Sequence, residues 1–149
     1  MSGFENMMRI SASGMAAERF RLNVISANLA NQNTTRTPEG GPYRRRDVVF
    51  AAAPPASDGT SAPDASGNTQ GEPVPGVRVV EVVTDPRPPI RKYQPGHPDA
   101  NAEGYVSYPD INTFEEMVNM LSATRSYEAN STLLKSAREM MNRTIDLLK

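Results

Sequence analysis

Proline and glycine are distributed unevenly along this chain of 149 residues, and their distribution limits the fold more than any other feature does. Residues 51–104 contain 10 of the 13 prolines and six of the ten glycines. Residues 2–33 contain no proline, and residues 110–149 contain neither proline nor glycine. Because proline breaks helices and glycine weakens them, the two ends are able to form long helices and the middle is not.

The amino-terminal segment has the apolar spacing of an amphipathic helix. Its helix is expected to end at a cluster of asparagines, since asparagine tolerates left-handed backbone geometry and bonds locally. The seven-residue spacing and this stop identify the candidate packing and contact residues of the segment, which are Met8, Met15, Leu22, Ile25, Asn28, Leu29 and Asn31.

The carboxy-terminal segment carries the stronger helix signal. Asn112 is a suitable cap, and a helix over 113–148 would be roughly 54 Å long at 1.5 Å per residue. Apolar side chains follow at intervals of seven, and we expect Tyr127, Leu134 and Met141 to be central in packing. A charge at Tyr127 is expected to block assembly. The candidate residues of this helix are Met120, Tyr127, Asn130, Leu134, Met141 and Leu148.

The middle of the chain holds short strand candidates. The β-branched run Val77–Val83 is the clearest, and the weaker run Asp47–Phe50 could pair with it. Residues 51–76 are mostly small or polar and bury too little to offset their ordering entropy, which predicts a mobile loop. Residues 85–108 contain five prolines, and they are expected to be extended.

These patterns predict a mainly α protein. Long amino- and carboxy-terminal helices would pack as an antiparallel hairpin, with a small β-containing, loop-rich middle segment. The predicted units are 1–36 for the first helix, 37–109 for the middle segment and 110–149 for the second helix. A helix pair alone has a marginal core, so the hairpin is expected to complete its burial against other subunits. A self-sufficient monomeric bundle is the alternative.

The residue types argue against an enzyme, a metalloprotein and a nucleic-acid-binding protein. Lysine and arginine number 16 against 17 acidic residues, and nucleic-acid binding needs a basic excess. The basic run Arg44–Arg46 is expected to be solvated or at an interface. His97 is the only histidine and there is no cysteine, whereas a zinc site needs three or four ligands. We predict no catalytic residues, no cofactor, no small-molecule substrate and no metal.

A peripheral membrane protein that uses its amphipathic ends is a further alternative. Interfacial helices usually carry a strongly basic polar face, whereas the carboxy-terminal segment mixes acidic and basic residues. The longest purely apolar run, Val48–Ala53, is far too short for a membrane span. The amino terminus lacks the pattern of a cleavable secretion signal. Contacts with other proteins therefore suit these helices better.

Three motifs resemble those of a known family. Residues 13–34 (SGMAAERFRLNVISANLANQNT) resemble the amino-terminal motif of the flagellar axial proteins. Residues 104–112 (GYVSYPDIN) and 116–130 (EMVNMLSATRSYEAN) resemble the carboxy-terminal signature of the proximal rod proteins of the flagellar basal body. The resemblance covers about 2–50 and 76–149, and residues 51–76 match nothing in it.

The resemblance implies a structural subunit of the bacterial flagellar rod, which transmits torque from motor to hook. It implies a coiled-coil-like inner layer of terminal helices and a small outer β element. The partners would be other rod proteins, further copies of the chain, and the export gate and the ring adaptor region at the rod base. It also implies type III export and a rod that crosses the periplasm. Asn28, Asn31 and Asn130 are matched family positions, expected to bond backbone groups at subunit contacts or to cap helices within one chain.

Overall fold

The computed structural model describes residues 2–53 and 76–147. Along the chain lie helix α1 (Ser2–Ala30), strands β1 (Arg46–Ala53), β2 (Gly76–Thr84), β3 (Ile90–Tyr93) and β4 (Tyr105–Tyr108), and helix α2 (Thr113–Asp146). The prediction of two terminal helices with a small β-containing middle segment is confirmed. Most of the loop predicted over 51–76 lies outside the described residues, but its two ends belong to strands β1 and β2.

Asparagines lie at the end of α1 and just before the start of α2, as the sequence predicts. The α1 helix stops at Ala30, and the Asn31 side chain donates a hydrogen bond of 2.9 Å to the carbonyl of Ala27. The α2 helix begins after Asn112, whose side chain accepts a hydrogen bond of 3.0 Å from the Phe114 amide. The Asn112 bond satisfies an amide that has no partner within α2, whereas the Ala27 carbonyl also accepts a hydrogen bond of 3.1 Å from the Asn31 backbone amide.

Strands β1 and β2 pair antiparallel, from Arg46 opposite Thr84 to Ala53 opposite Gly76, with a bulge between Val49 and Phe50. The predicted pairing is therefore confirmed. The strand predicted over Asp47–Phe50 is longer in the structure, because the alanines that follow Phe50 also bond to β2.

The second hairpin, β3 with β4, lies where the sequence predicts only extended chain. Ile90 pairs with Tyr108 and Tyr93 pairs with Tyr105. The prolines of this region fall before β3 or in the connection to β4, so none removes a ladder hydrogen bond. Gly104 closes the turn with a φ of +82°, and a Cβ there would lie 2.8 Å from Cε2 of Tyr93. A larger residue would therefore be strained at this position.

The α1 and α2 helices contact each other. Asn28 near the end of α1 bonds Glu116 near the start of α2, and the position of a Cβ on Gly14 is 3.0 Å from the Asn130 amide nitrogen. The buried apolar residues of the two helices within the described ranges are mostly small, namely Ala17, Ile25, Ala123 and Ala137. Small side chains at a helix contact allow the two backbones to approach closely.

Candidate functional site

A polar junction joins the end of α1 to the start of α2. It is formed by Asn28, Tyr43, Arg45 and Glu116. The fully buried Asn28 amide donates hydrogen bonds of 2.9 Å to Glu116 Oε2 and 2.8 Å to the Arg46 carbonyl. Its oxygen accepts two bonds of 3.0 Å, one from the Arg46 amide and one from the Tyr43 hydroxyl. An asparagine side chain offers two donors and two acceptor sites, so Asn28 is fully satisfied.

An ion pair completes this polar junction. Arg45 Nε donates to Glu116 Oε1 at 2.8 Å, and the Glu116 side chain is fully buried while that of Arg45 is 15% exposed. Arg45 also lies 3.3 Å from Asp47 Oδ2. Burial alone lowers the pKa of Arg45, but the hydrogen bond to Glu116 and the charges of Glu116 and Asp47 outweigh it and raise the pKa. The guanidinium therefore stays charged in the junction.

Tyr43 contributes a hydroxyl that is held in its neutral form. Burial raises the pKa of the Tyr43 phenol, Arg46 partly opposes this, and the negative charge of Glu116 adds to the rise. Each group of the junction has a partner, so the cluster offers neither a free base nor a nucleophile. Its geometry instead connects the end of α1, the start of β1 and the start of α2.

The sequence interpretation of Arg44–Arg46 needs correction. These arginines were expected to be solvated or at an interface, and Arg44 and Arg46 are exposed, whereas Arg45 is mostly buried against Glu116 within the same chain. The partner lies 71 residues away in the sequence, which is why no local pattern indicated the pair. One signal was available for Glu116, because it begins a row at intervals of seven with Ala123, Asn130 and Ala137. That row, rather than the apolar one beside it, faces α1 and holds all three buried residues of α2.

Large apolar side chains remain exposed on the first turns of α2. Their spacing of three and four residues places them on one face of the helix, which we call the outer stripe. The same face continues toward the carboxyl end with polar residues, including Arg125, Glu128 and Thr132. The outer stripe consists of Phe114, Met117, Val118 and Leu121, which are 80%, 54%, 67% and 53% exposed.

The structure places the predicted site residues in four settings. Ile25 and Asn28 are buried. Seven are partly buried: Met15, Leu22, Leu29, Asn31, Met120, Asn130 and Leu134. Met8, Tyr127 and Met141 are exposed, and Leu148 lies outside the described residues. Tyr43, Arg45 and Glu116 contribute to the junction and were missed. The small residues Ala17, Ala123 and Ala137 are buried at the helix contact and lie outside the predicted set of site residues.

Residues 2–53 and 76–147 contain neither a candidate metal site nor a candidate membrane span. No group of three or more histidine, cysteine, aspartate or glutamate side chains in these ranges is arranged to hold a metal ion. Neither helix in these ranges contains a stretch that is apolar and long enough to cross a membrane.

Comparison with known proteins matches both terminal regions of the chain to known families. A family described as "Flagella basal body rod protein" matches residues 8–36, and one described as "Flagellar basal body rod FlgEFG protein C-terminal" matches residues 102–147. The flagellar basal-body rod protein FlgC of Borreliella burgdorferi is 41% identical over 99% of both chains. The chain belongs to the FlgC family of flagellar basal-body rod proteins. Both matches to family descriptions fall on the terminal regions that meet at the polar junction.

Two other FlgC relatives show how widely this similarity extends. The Escherichia coli O6:H1 protein is 39% identical over 95% of this chain and 96% of its own. The Bacillus subtilis protein is 37% identical over the whole of both chains. The chain is therefore a structural subunit of the flagellar rod and not an enzyme, as the sequence predicts. It assembles with other components of the basal body.

Proposed function

We propose that this FlgC-family chain polymerises through its terminal helices. In this proposal α1 and α2 form an antiparallel, coiled-coil-like hairpin, and each hairpin packs against those of neighbouring rod subunits. The exposure of the outer stripe carries the proposal, because Phe114 and Val118 are 80% and 67% exposed on a helix whose other face already contacts α1. A neighbouring helix would remove this apolar surface from water.

The proposal assigns a role to each part of the chain. Residues 1–36 and 110–149 form the inner layer, and residues 37–109 form an outer β-containing segment. The sequence-predicted packing residues that remain exposed, Met8, Tyr127 and Met141, are available for contacts between subunits. Asn31 and Asn130 are only partly buried and retain surface for such contacts.

The placement in the cell follows from the same proposal. The rod would cross the periplasm and transmit torque from motor to hook, and a non-closing contact between subunits would generate its helical array. The chain would reach the rod through the flagellar type III export apparatus. Its neighbours would be other rod proteins, further copies of itself, and the export gate and ring adaptor region at the rod base.

A pair of aspartate substitutions on one helix face tests the packing. Val118→Asp places a charge in the outer stripe, and burial of an unpaired charge by a neighbour is costly. Thr132→Asp, the matched control, places the same charge on the polar continuation of that face. We expect Val118→Asp to abolish rods and swimming and Thr132→Asp to retain both, as measured by motility assay and electron microscopy of isolated basal bodies. Secretion of both variants should match that of the wild type.

Normal rods with Val118→Asp would contradict burial of the outer stripe.

Deletion of the gene tests the position of this chain in the assembly of the flagellum. Loss of rod, hook and filament, restored by the wild-type chain, is expected for an early structural subunit. Intact rotating flagella after deletion would contradict an essential place in the rod.

A further inference from the structure

A cleft of about 500 Å³ lies between the connection from α1 to β1 and the start of the β1–β2 sheet. We call it the arginine cleft, because Arg36, Arg44 and Arg46 line it against a single acidic residue, Glu39. Two prolines and the Tyr43 side chain also line the cleft and add apolar surface. Guanidinium groups bind carboxylates through paired, charge-assisted hydrogen bonds, so an acidic partner suits this cleft.

Two arginines of the cleft have no ion-pair partner in their own chain. Arg44 and Arg46 are exposed and form no ion pair within residues 2–53 and 76–147. The Arg46 guanidinium lies over the Tyr43 ring, 5.6 Å from its centroid, and the Tyr43 hydroxyl is fixed in the polar junction. The positive charge of Arg46 is therefore held in place at the cleft.

The opposite face of the β1–β2 sheet carries two acidic residues. Asp47 pairs with Val83, and Val49 pairs with Glu81, so these four side chains lie on one face of the two strands. We call them the acidic face. The Asp47 side chain is 60% exposed, Glu81 is exposed, and the two valines are 44% and 40% exposed. The acidic face therefore combines carboxylates with uncovered apolar surface.

The arginine cleft and the acidic face match in the spacing of their charges. Arg44 and Arg46 are alternate residues of a chain that pairs with β2 already at Arg45, whose carbonyl accepts a hydrogen bond of 2.8 Å from the Asp85 amide. Alternate residues of an extended chain lie about 7 Å apart. The carboxylates of the acidic face are diagonal neighbours across the two strands, which places them about 7–8 Å apart.

The two surfaces of one chain face away from each other. Arg46 and Asp47 are adjacent in β1, and adjacent residues of a strand point to opposite faces of the sheet. Arg78 lies opposite Ala51 on the side of the acidic face, and Glu39 lies in the cleft, so each surface also carries one charge opposite to its majority. The surfaces are thus complementary in charge, and only a second molecule brings them together.

We propose that the arginine cleft of one copy of this chain binds the acidic face of the next copy. Arg44 and Arg46 pair with the two carboxylates, and the exposed valines cover the apolar wall of the cleft. The contact is heterologous, since two different surfaces meet, and it gives the array a direction. Exposed ion pairs are individually weak, so this contact sets orientation while the helices supply most of the affinity. The inference rests on the assembly of copies proposed above.

Photo-crosslinking in assembled rods tests the contact. The photoreactive residue p-benzoylphenylalanine replaces Val49, which leaves every charge of both surfaces in place, and isolated basal bodies are irradiated. We expect a covalent dimer of this chain, with the adduct mapped by mass spectrometry to residues 36–46. Arg46→Glu in the same chain should abolish the dimer, and addition of Glu81→Arg should restore it. The matched control Arg91→Glu reverses an exposed charge on β3, outside both surfaces, and should leave the dimer unchanged.

A second probe at Val118 separates this inference from the proposed assembly. Adducts from Val118 without an adduct from Val49 would overturn the contact between cleft and acidic face and leave assembly through the helices intact. A Val49 adduct to another rod protein or to another segment, or a dimer that persists with Arg46→Glu, would also overturn it. Absence of adducts from both probes would contradict the proposed assembly as well. If Arg46→Glu prevents rods from forming, the Val49 adduct in chains that keep Arg46 still decides the question.

Discussion

A hydrogen bond between the side chains of Asn28 and Glu116 connects α1 directly to α2. The amide–carboxylate bond of 2.9 Å spans 88 residues of sequence, and Arg45 neutralises the carboxylate from the middle segment. A fully buried carboxylate is tolerated only when it is paired and hydrogen-bonded. The junction therefore defines the register of α1 against α2 at one end of the helix pair.

Substitution of Glu116 tests the junction. Glu116→Ala leaves Arg45 without its buried partner and removes one of the two acceptors of the Asn28 amide, and breaking a buried pair costs about 3–5 kcal/mol. Glu116→Gln keeps the shape and one acceptor oxygen and should cost less. We expect Glu116→Ala to remove rods at every growth temperature and Glu116→Gln to remove them only at higher ones. The number of rods is counted by electron microscopy of basal bodies. Equal numbers in both variants would contradict a role for the buried charge.

The charge of Asp85 also depends on contacts that form in the folded chain. Arg87 donates to Asp85 Oδ2 through two nitrogens at 2.7 and 2.9 Å, and it also lies 3.2 Å from Asp110 Oδ2, just before α2. The side-chain bonds from Arg87, followed by its backbone amide, lower the pKa of Asp85 from 3.8 to about 2. Because Arg87 is half-exposed, solvent screens the pair and its contribution to stability is small.

The depressed pKa of Asp85 predicts how the pair responds to pH. A lowered pKa in the folded state means that the contribution to stability is fully present above pH 3.8 and is lost as the pH falls through about 2. Titration of the Asp85 carboxyl carbon by NMR should give a midpoint near 2, and Arg87→Gln should raise it. A midpoint near 3.8 in the unaltered chain would contradict the Arg87 contact.

At the level of the elements, the contact between α1 and α2 depends on small side chains. Ala123 and Ala137 have no exposed surface, and Ala17 is nearly as buried. Gly14 lies so close to Asn130 that an added Cβ would sit 3.0 Å from its amide nitrogen. The larger apolar side chains of α2 lie beside this contact or face outward, where neighbouring subunits would cover them.

Enlargement of one small residue tests this contact. Ala123→Leu inserts extra methylenes between the helices, and overpacking costs about 1–3 kcal/mol. Ala129→Leu, on an exposed position of the same helix, adds the same volume without facing α1. We expect smaller swimming halos and fewer rods with Ala123→Leu and near-normal values with Ala129→Leu. The reverse order would show that α1 does not pack on the Ala123 face.

For the whole molecule, the buried apolar core within the described residues is thin. It consists of Ala17, Ile25, Val106, Ala123 and Ala137, of which three are alanines. Burial of so little apolar surface leaves a marginal balance against conformational entropy. The remaining stabilisation is expected to come from neighbouring subunits, since binding to the folded form alone stabilises it.

A dilute purified chain should therefore have terminal helices that are largely unfolded. We expect its far-ultraviolet circular dichroism to show low helicity and a gradual thermal change without a sharp transition. The same protein within isolated rods should be more helical. Cooperative melting with high helicity in the dilute chain would instead indicate a self-sufficient bundle.

Local patterns in the sequence were sufficient for the elements and the family. The absence of proline from both ends, the Asn112 cap and the asparagines after Asn28 indicated the helices, because these effects act within a few residues. The β-branched run at Val77–Val83 indicated β2 for the same reason. The motifs at both ends were sufficient to indicate a flagellar rod protein.

Apart from the pairing of β1 with β2, the tertiary structure was required for the contacts between residues distant in sequence. Glu116 meets Arg45 and Asn28 only because two helices and the middle segment converge, and no spacing rule reports a pair 71 or 88 residues apart. The apolar heptads indicated which faces of the helices avoid water, but not whether α1 or another subunit covers them. The β3–β4 hairpin was also missed, since its prolines resemble those of an extended chain until their positions outside the strands are known. The spacing of apolar residues indicates which face of a helix or strand avoids water. Which other element or subunit covers that face depends on three-dimensional packing.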